Sequence, residues 1–244
     1  MLKRIVKSIL PKSVKEKLID INNNYLDGYA LKSYSQEGED MILRRLFENK
    51  KTGFYIDVGA HHPKRFSNTY FFYKKGWKGI NIDAMPGSMK LFNKIRPRDI
   101  NIEKPVSDKK QVMTYYAFNE PALNGFSKKL SQQRASDDNN YHIIFEKDIE
   151  TSTLEEILDK NLPKEQQIDF LSIDVEGLDF MVLKSNNFNK YNPKIILIEV
   201  LGSCLLGIEN NEISVFLKQY GYKIYAKTVN TVIFIKNEFL LKSK

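Results

Sequence analysis

Two hydrophobic patterns alternate along the chain. Short apolar runs of strand length recur: Phe54 to Ala60, Gly79 to Asp83, Ile100 to Val106, Val112 to Phe118, Ile168 to Asp174, Lys194 to Val200, Tyr222 to Ala226 and Thr231 to Ile235. Between them lie segments whose apolar residues fall at helical spacing: Met41 to Phe47, Met89 to Ile95, Leu154 to Leu158 and Ile213 to Tyr220. The aromatic run Tyr70 to Tyr73 ends at Lys75-Gly76, a helix-stop signal, and reads as a helix packing on a sheet. Strands alternating with helices predict a parallel sheet with right-handed crossovers. The last two strands are too close for a crossover helix and must form an antiparallel hairpin.

The expected fold is therefore α/β: a mostly parallel seven-stranded sheet, helices on both faces, and a C-terminal antiparallel hairpin. Val112 to Phe118 is an addition to it. This is the class I methyltransferase variation on the Rossmann theme. Residues 22–34 are polar and Asn-rich and read as a connector. Residues 119–147 are polar and break the rhythm, and an excursion of that length is expected to be either functional or disordered; on the functional reading it is the candidate acceptor lid, with Asn124 and Ser127 as acceptor contacts. The expected organisation is a basic amphipathic segment, 1–33, followed by the α/β domain, 34–244.

Composition narrows the class. Of 244 residues, 42% are hydrophobic and 28% charged, which is globular and excludes disorder and coiled coil. No run approaches the ~20 apolar residues of a membrane span. A single cysteine, Cys204, allows no disulfide within the chain and points to the cytoplasm. One Cys and three His build no structural zinc site. The net charge is +8, and the first twenty residues carry six basic side chains (Lys3, Arg4, Lys7, Lys12, Lys15, Lys17) against Glu16 and Asp20. With Leu2, Ile5, Val6, Ile9, Val14 and Leu18 at helical spacing around Pro11, residues 1–20 read as two short amphipathic helices. They suit peripheral contact with an anionic membrane face, or packing on the chain's own domain or a second subunit. No nucleic-acid-binding motif appears.

In open α/β sheets the ligand sits beyond the carboxyl ends of the strands. Here those ends carry Asp57, Asp83, Ser107-Asp108, Asp174 with Glu176, and Glu199. A row of acids repels phosphate and suits a ligand with hydroxyls, an ammonium and a sulfonium. Gly59 lets a ligand approach the backbone. Asp83 lies 24 residues beyond Gly59, where an acid accepts from two ribose hydroxyls. The G-x-G-x-x-G fingerprint is missing, which lowers NAD and raises S-adenosylmethionine.

The segments Ser35-Gln36-Glu37-Gly38-Glu39-Asp40, Phe54 to Pro63, Gly79 to Ser88 and Ile168 to Leu183 resemble the FkbM-type S-adenosylmethionine-dependent methyltransferases. The stretch Asp169 to Gly177 is the most specific. The resemblance implies methyl transfer to a hydroxyl, commonly of sugars in bacterial surface polysaccharides or glycosylated natural products. Carried onto this chain, Asp57, Gly59 and Ala60 would line the methionine moiety. Asp83 would hold the ribose, Ala84 and Met85 the adenine face, Ser107 and Asp108 its edge. Gln36 and Asp40 would reach over the cofactor, and Asp174 would meet its ammonium.

Methyl transfer is an in-line displacement, and a protonated sugar hydroxyl needs a base or a metal. The candidate bases are Glu176, His62, Glu199 and His61, with Glu176 and His62 favoured by position. Asp174 and Glu199, with Asp179 one helical turn on, would suit a hard ion such as Mg2+. Two other functions compete: a catalytically inactive cofactor-binding module of a membrane-associated glycan assembly, and a nucleotide-dependent oxidoreductase.

Overall fold

The structure is a computed structural model that describes residues 11–136, 140–202 and 204–242. The chain divides between Ser33 and Tyr34 into two units. In the first, helix α1 (Lys12–Tyr25) starts after Pro11, and none of its residues is buried. The helix runs into the stretch expected to be a connector, because Asn22 to Asn24 complete its last turn. The expected helix before Pro11 lies outside the described residues.

The second unit opens with α2 (Glu39–Leu46), whose first turn carries Glu39 and Asp40 and whose last carries Arg44 and Arg45, each sign at the helix end that favours it. The sheet follows. Its strands are β1 (Phe54–Val58), β2 (Lys78–Asp83), β3 (Ile100–Glu103), β6 (Phe170–Ile173), β7 (Ile195–Glu199), β8 (Tyr222–Lys227) and β9 (Thr231–Lys236), and their order across the sheet is β3-β2-β1-β6-β7-β9-β8. The first five are parallel; β9 runs antiparallel to both β7 and β8, as the hairpin argument requires. The order reverses between β1 and β6, so the crevice for a ligand opens beyond Val58 and Ile173.

The central strands are buried on both faces, which is why they read as continuous apolar runs. Ile56, Val58, Leu171, Ile173, Ile196 and Ile198 join one core with Leu154, Leu158, Val182 and Leu217 from the helices α6 (Leu154–Asn161), α7 (Asp179–Lys184) and α8 (Glu212–Gln219). Tyr55, Phe170, Ile195 and Leu197 face the other way, onto Leu43, Phe47, Phe72 and Trp77. Phe72, from α3 (Tyr70–Lys74), lies 4.8 Å from Trp77 and 5.1 Å from Phe170, so the aromatic run is core. Each such side chain contributes about 1.5–3 kcal/mol of burial.

Residues 119–147 differ from the expected irregular excursion. They contain a 3-10 turn (Pro121–Leu123), helix α5 (Lys128–Ser136) and the start of β5 (Ile143–Glu150), which pairs antiparallel with β4 (Val112–Phe118). The strand escaped the sequence pattern because it is largely exposed and its charges, Glu146 to Asp148, interrupt any apolar alternation. Only pairing with β4 organises it. At its other end the expected third strand stops at Glu103, and Val106 makes only an isolated bridge to Ser152.

Candidate active site

A cleft of ≈ 850 Å³, its open mouth included, lies beyond the carboxyl ends of β1, β2 and β6, where ligands of open α/β sheets sit. Its floor is where β1 and β6 converge. Gly59 has φ +81°, and a Cβ there would sit 1.6 Å from the carbonyl oxygen of Asp174. Glycine is thus required by the neighbouring backbone itself, in addition to any ligand.

Asp83 fixes one wall. One carboxylate oxygen accepts the N–H of His61 and the other accepts the N–H of Met85, both at 2.8 Å. Burial pushes its carboxyl above the usual range, and these two N–H groups oppose the rise. Each oxygen keeps a lone pair for a ligand hydroxyl. Ala84 and Met85 line the cleft beside it, with Pro105 and Val106 opposite. Tyr115, buried on β4, closes this end; burial, then the nearby charge of Asp83, raises its phenol, which stays protonated. The Phe126 ring packs tilted against Tyr115, 5.1 Å between centroids, and the Asn124 amide reaches the Met85 sulfur at 3.6 Å. The segment expected to cover only the acceptor therefore also walls the part of the cleft that holds Asp83 and Met85.

An acidic cluster is the second feature; Asp174 and Glu176 line the cleft, whereas Asp179 and Glu199 lie outside its lining. Oxygens of Asp174, Asp179 and Glu199 all lie within 4.8 Å of one another. Asp179 is spoken for: its two oxygens accept the N–H groups of Val175 and Gly177, each at 3.0 Å, and burial still pushes it to about 6. Burial, then the charges of Glu176 and Asp179, push Glu199 to about 8, and its buried Oε2 has no hydrogen-bond partner among the described residues. Asp174 is more open to water, yet it sits on a concave floor. That enclosure, then Glu199 and Glu176, hold its carboxyl well above the usual range. Glu176 lines the cleft with φ +55° and is paired with Arg134 of α5. Burial raises its carboxyl, and the guanidinium opposes the rise.

His61 and Phe66 also line the cleft in the left-handed region, with φ +51° and +55°, and their rings stack 6.3 Å apart. Three bulky residues in that region around one cleft mark stored backbone strain of the kind found at functional sites. Burial lowers the His61 imidazole, keeping it neutral at pH 7.

Other nominated residues lie elsewhere. His62 does not line the cleft; its Nδ1 accepts the N–H groups of Lys64 and Arg65 at 3.0 and 2.9 Å and braces the loop. Asp57 turns to the opposite sheet face, accepting from Thr69 at 2.7 Å beside the buried Arg96–Asp99 pair. Asp40 is fully buried and holds the Tyr34 N–H and the Ser35 hydroxyl, so of the pair on that segment only Gln36 faces the cleft. Ala60 packs on Met89 and Phe92. Ser107 and Asp108 bond to each other and to Gln111, leaving Lys104, Pro105 and Val106 to line the cleft in their place. The Ser127 hydroxyl accepts the Leu130 N–H at the start of α5. Tyr115, Phe66, Lys104 and Arg134 were not foreseen. Tyr115 carried a signal, as an aromatic in a strand with no place in the main sheet; Arg134 carried none.

No curated protein matches the chain. Among solved structures, a TehB-like SAM-dependent methyltransferase from Corynebacterium glutamicum is similar, with 9% identity, 93% of this chain and 97% of that chain covered, and a TM-score of 0.39. The family model described as the methyltransferase FkbM domain matches residues 57–224, a span that runs from the end of β1 through β7 and the first half of β8. With well over half its length matched, the chain belongs to the FkbM methyltransferase family.

Proposed function

We propose that this protein is an S-adenosylmethionine-dependent O-methyltransferase that methylates a hydroxyl of a sugar, in a bacterial surface polysaccharide or glycoconjugate. The observation that carries this reading is Glu176, a carboxylate that faces the cleft in an ion pair with Arg134. Burial raises its carboxyl, and the guanidinium opposes the rise. Asp174 lines the cleft as well, and burial with the charges of neighbouring carboxylates raises both Asp174 and Glu199. A sugar hydroxyl is a poor nucleophile while protonated and calls for a base of this kind.

Asp83 would hold the ribose hydroxyls of S-adenosylmethionine, Ala84 and Met85 would lie against its adenine and Gly59 beside its methionine end, and the bound cofactor would supply an electrophilic methyl group. Glu176 would accept the acceptor hydroxyl's proton as that oxygen takes up the methyl group. Mg2+ fits the same floor: Glu199 Oε2 lacks a partner, and Asp174 and Glu199 would hold the ion through hard oxygens. Such an ion would lower the hydroxyl's affinity for its proton.

The test supplies methyl-labelled S-adenosylmethionine and a pool of bacterial glycans, then hydrolyses the products. Label recovered as a base-stable sugar methyl ether, abolished by Glu176→Gln, is the expected result. Label in amines or in base-labile esters would refute O-methylation of a sugar.

A further inference from the structure

Helix α1 (Lys12–Tyr25) carries an exposed apolar stripe. Val14, Leu18, Ile21 and Tyr25 recur at spacings of four, three and four, which puts them on one face of the helix. They are 39%, 50%, 48% and 80% exposed, and no residue of the helix is buried. At 100° per residue, Lys15 and Asn22 fall along one flank of the stripe and Lys17 and Asn24 along the other. The acids Glu16 and Asp20 lie on the far face, where Glu16 meets Lys12 at 3.9 Å and Asp20 accepts from Asn24. Ile19 departs from the stripe.

Two kinds of occupant suit such a face. The spacing is also that of a coiled-coil seam, but it lasts only two heptads, where a stable seam needs about three or four. A second copy would moreover set lysine flank against lysine or asparagine flank, with no acid to complement either. An anionic lipid surface supplies what the helix lacks: an apolar layer for the stripe and phosphates for both lysine flanks. Tyr25, at one end of the stripe, has the amphipathic ring that prefers the headgroup level.

We propose that α1 is an interfacial anchor that lies in the plane of an anionic bilayer, with Val14, Leu18, Ile21 and Tyr25 immersed and Lys15 and Lys17 at the phosphates. Anchoring of this kind is reversible and depends on lipid charge.

The full chain is floated with vesicles of pure phosphatidylcholine and with vesicles that also contain phosphatidylglycerol, and its mass in solution is followed by light scattering. The expected result is flotation with the anionic vesicles only. Lys15→Glu with Lys17→Glu should weaken it at least about twentyfold, since each lysine near the surface is worth roughly fivefold. Leu18→Asp with Ile21→Asp should abolish it. Lys218→Glu with Lys223→Glu, which makes the same charge change on exposed residues of the other unit, should leave it unchanged. S-adenosylmethionine binding by every variant serves as the folding control. Absence of flotation, equal flotation with both vesicles, or an equal loss in the control variant overturns the proposal. So does self-association that Leu18→Asp with Ile21→Asp removes without any vesicle binding; that result would assign the stripe to a second copy.

Discussion

Arg134 and Glu176 meet in an ion pair although 42 residues separate them, one on helix α5 of the strap between β4 and β5, the other at the end of β6. Arg134 also donates to the Leu123 carbonyl at 3.1 Å, and Glu120 of the same segment pairs with Arg65 at 3.0 Å. Residues 119–136 are thus tied to the loop after β1 on one side and the loop after β6 on the other. The pair does two things at once: it holds the strap down and it opposes the rise that burial imposes on the Glu176 carboxyl.

Replacing Arg134 by Ala should separate these roles. The guanidinium holds the Glu176 carboxyl below where burial alone would put it, so its loss raises that pKa further. If Glu176 is the base, the rising acidic limb of the pH–rate profile should move to higher pH. Turnover on the acidic limb should then fall about tenfold relative to the alkaline plateau. A uniform loss at all pH values would leave Arg134 a tether of the strap alone.

Asp83 should prove the residue on which cofactor affinity turns. Asp83→Ala removes the hydroxyl acceptor and strands two backbone N–H groups, at roughly 1–3 kcal/mol for each buried donor left unpaired. Calorimetric titration should show S-adenosylmethionine affinity falling at least about tenfold, while Asp83→Asn, which keeps one acceptor oxygen, falls between. NAD should not bind either protein. Unchanged affinity in Asp83→Ala would remove Asp83 from the cofactor site.

Gly59→Ala should be among the most damaging small substitutions in the chain. Its Cβ would lie 1.6 Å from a backbone oxygen that cannot rotate away, and φ +81° is already unfavourable for a side chain. The β1 and β6 ends must separate, and the expected loss is about 3 kcal/mol or more, a fall in melting temperature of roughly 6–12 °C. Far-UV circular dichroism on heating measures it.

The raised carboxyls also set how stability follows pH. Asp179 at about 6 and Glu199 at about 8 bind protons in the folded chain over a range where the unfolded chain has released them. The folded state therefore loses stability as pH rises from about 4 to 8 on account of these groups, the opposite of a salt-bridged carboxylate. Glu199→Gln cannot ionise, so it should raise the melting temperature at pH 9 by about 2–4 °C or more and change it little at pH 5. Mg2+ bound at this floor should reproduce part of that gain at pH 9 in the wild-type chain and none of it in Glu199→Gln.

The cofactor side of the cleft was legible along the chain for a definite reason. Val58-Gly59 and Ile82-Asp83 end strands buried on both faces, and a parallel sheet forces whatever follows such strands to the same edge. Gly59, Asp83, Ala84, Met85, Asp174 and Glu176 could therefore be placed in one crevice from order alone, and all of them line it. Strand order does not give side-chain direction. Asp57 sits one residue before Val58, and the period of two sends it to the far face, onto Thr69. Asp40 reads as polar and available, yet it holds the turn that starts α2.

What the amino-acid order determined by itself was the alternation of elements, the terminal hairpin, and the row of acids at the strand ends. These follow from local hydrophobic period and chain connectivity. What only the tertiary structure decided was which acids share one environment and what lies over them. Glu199 rises to about 8 because it is buried and because Glu176, after β6, and Asp179, on α7, come to it; Tyr115 lines the cleft from β4, and Arg134 reaches Glu176 from the segment between β4 and β5. Burial and like-charge repulsion depend on distances between segments remote in sequence, and no residue's neighbours along the chain encode them.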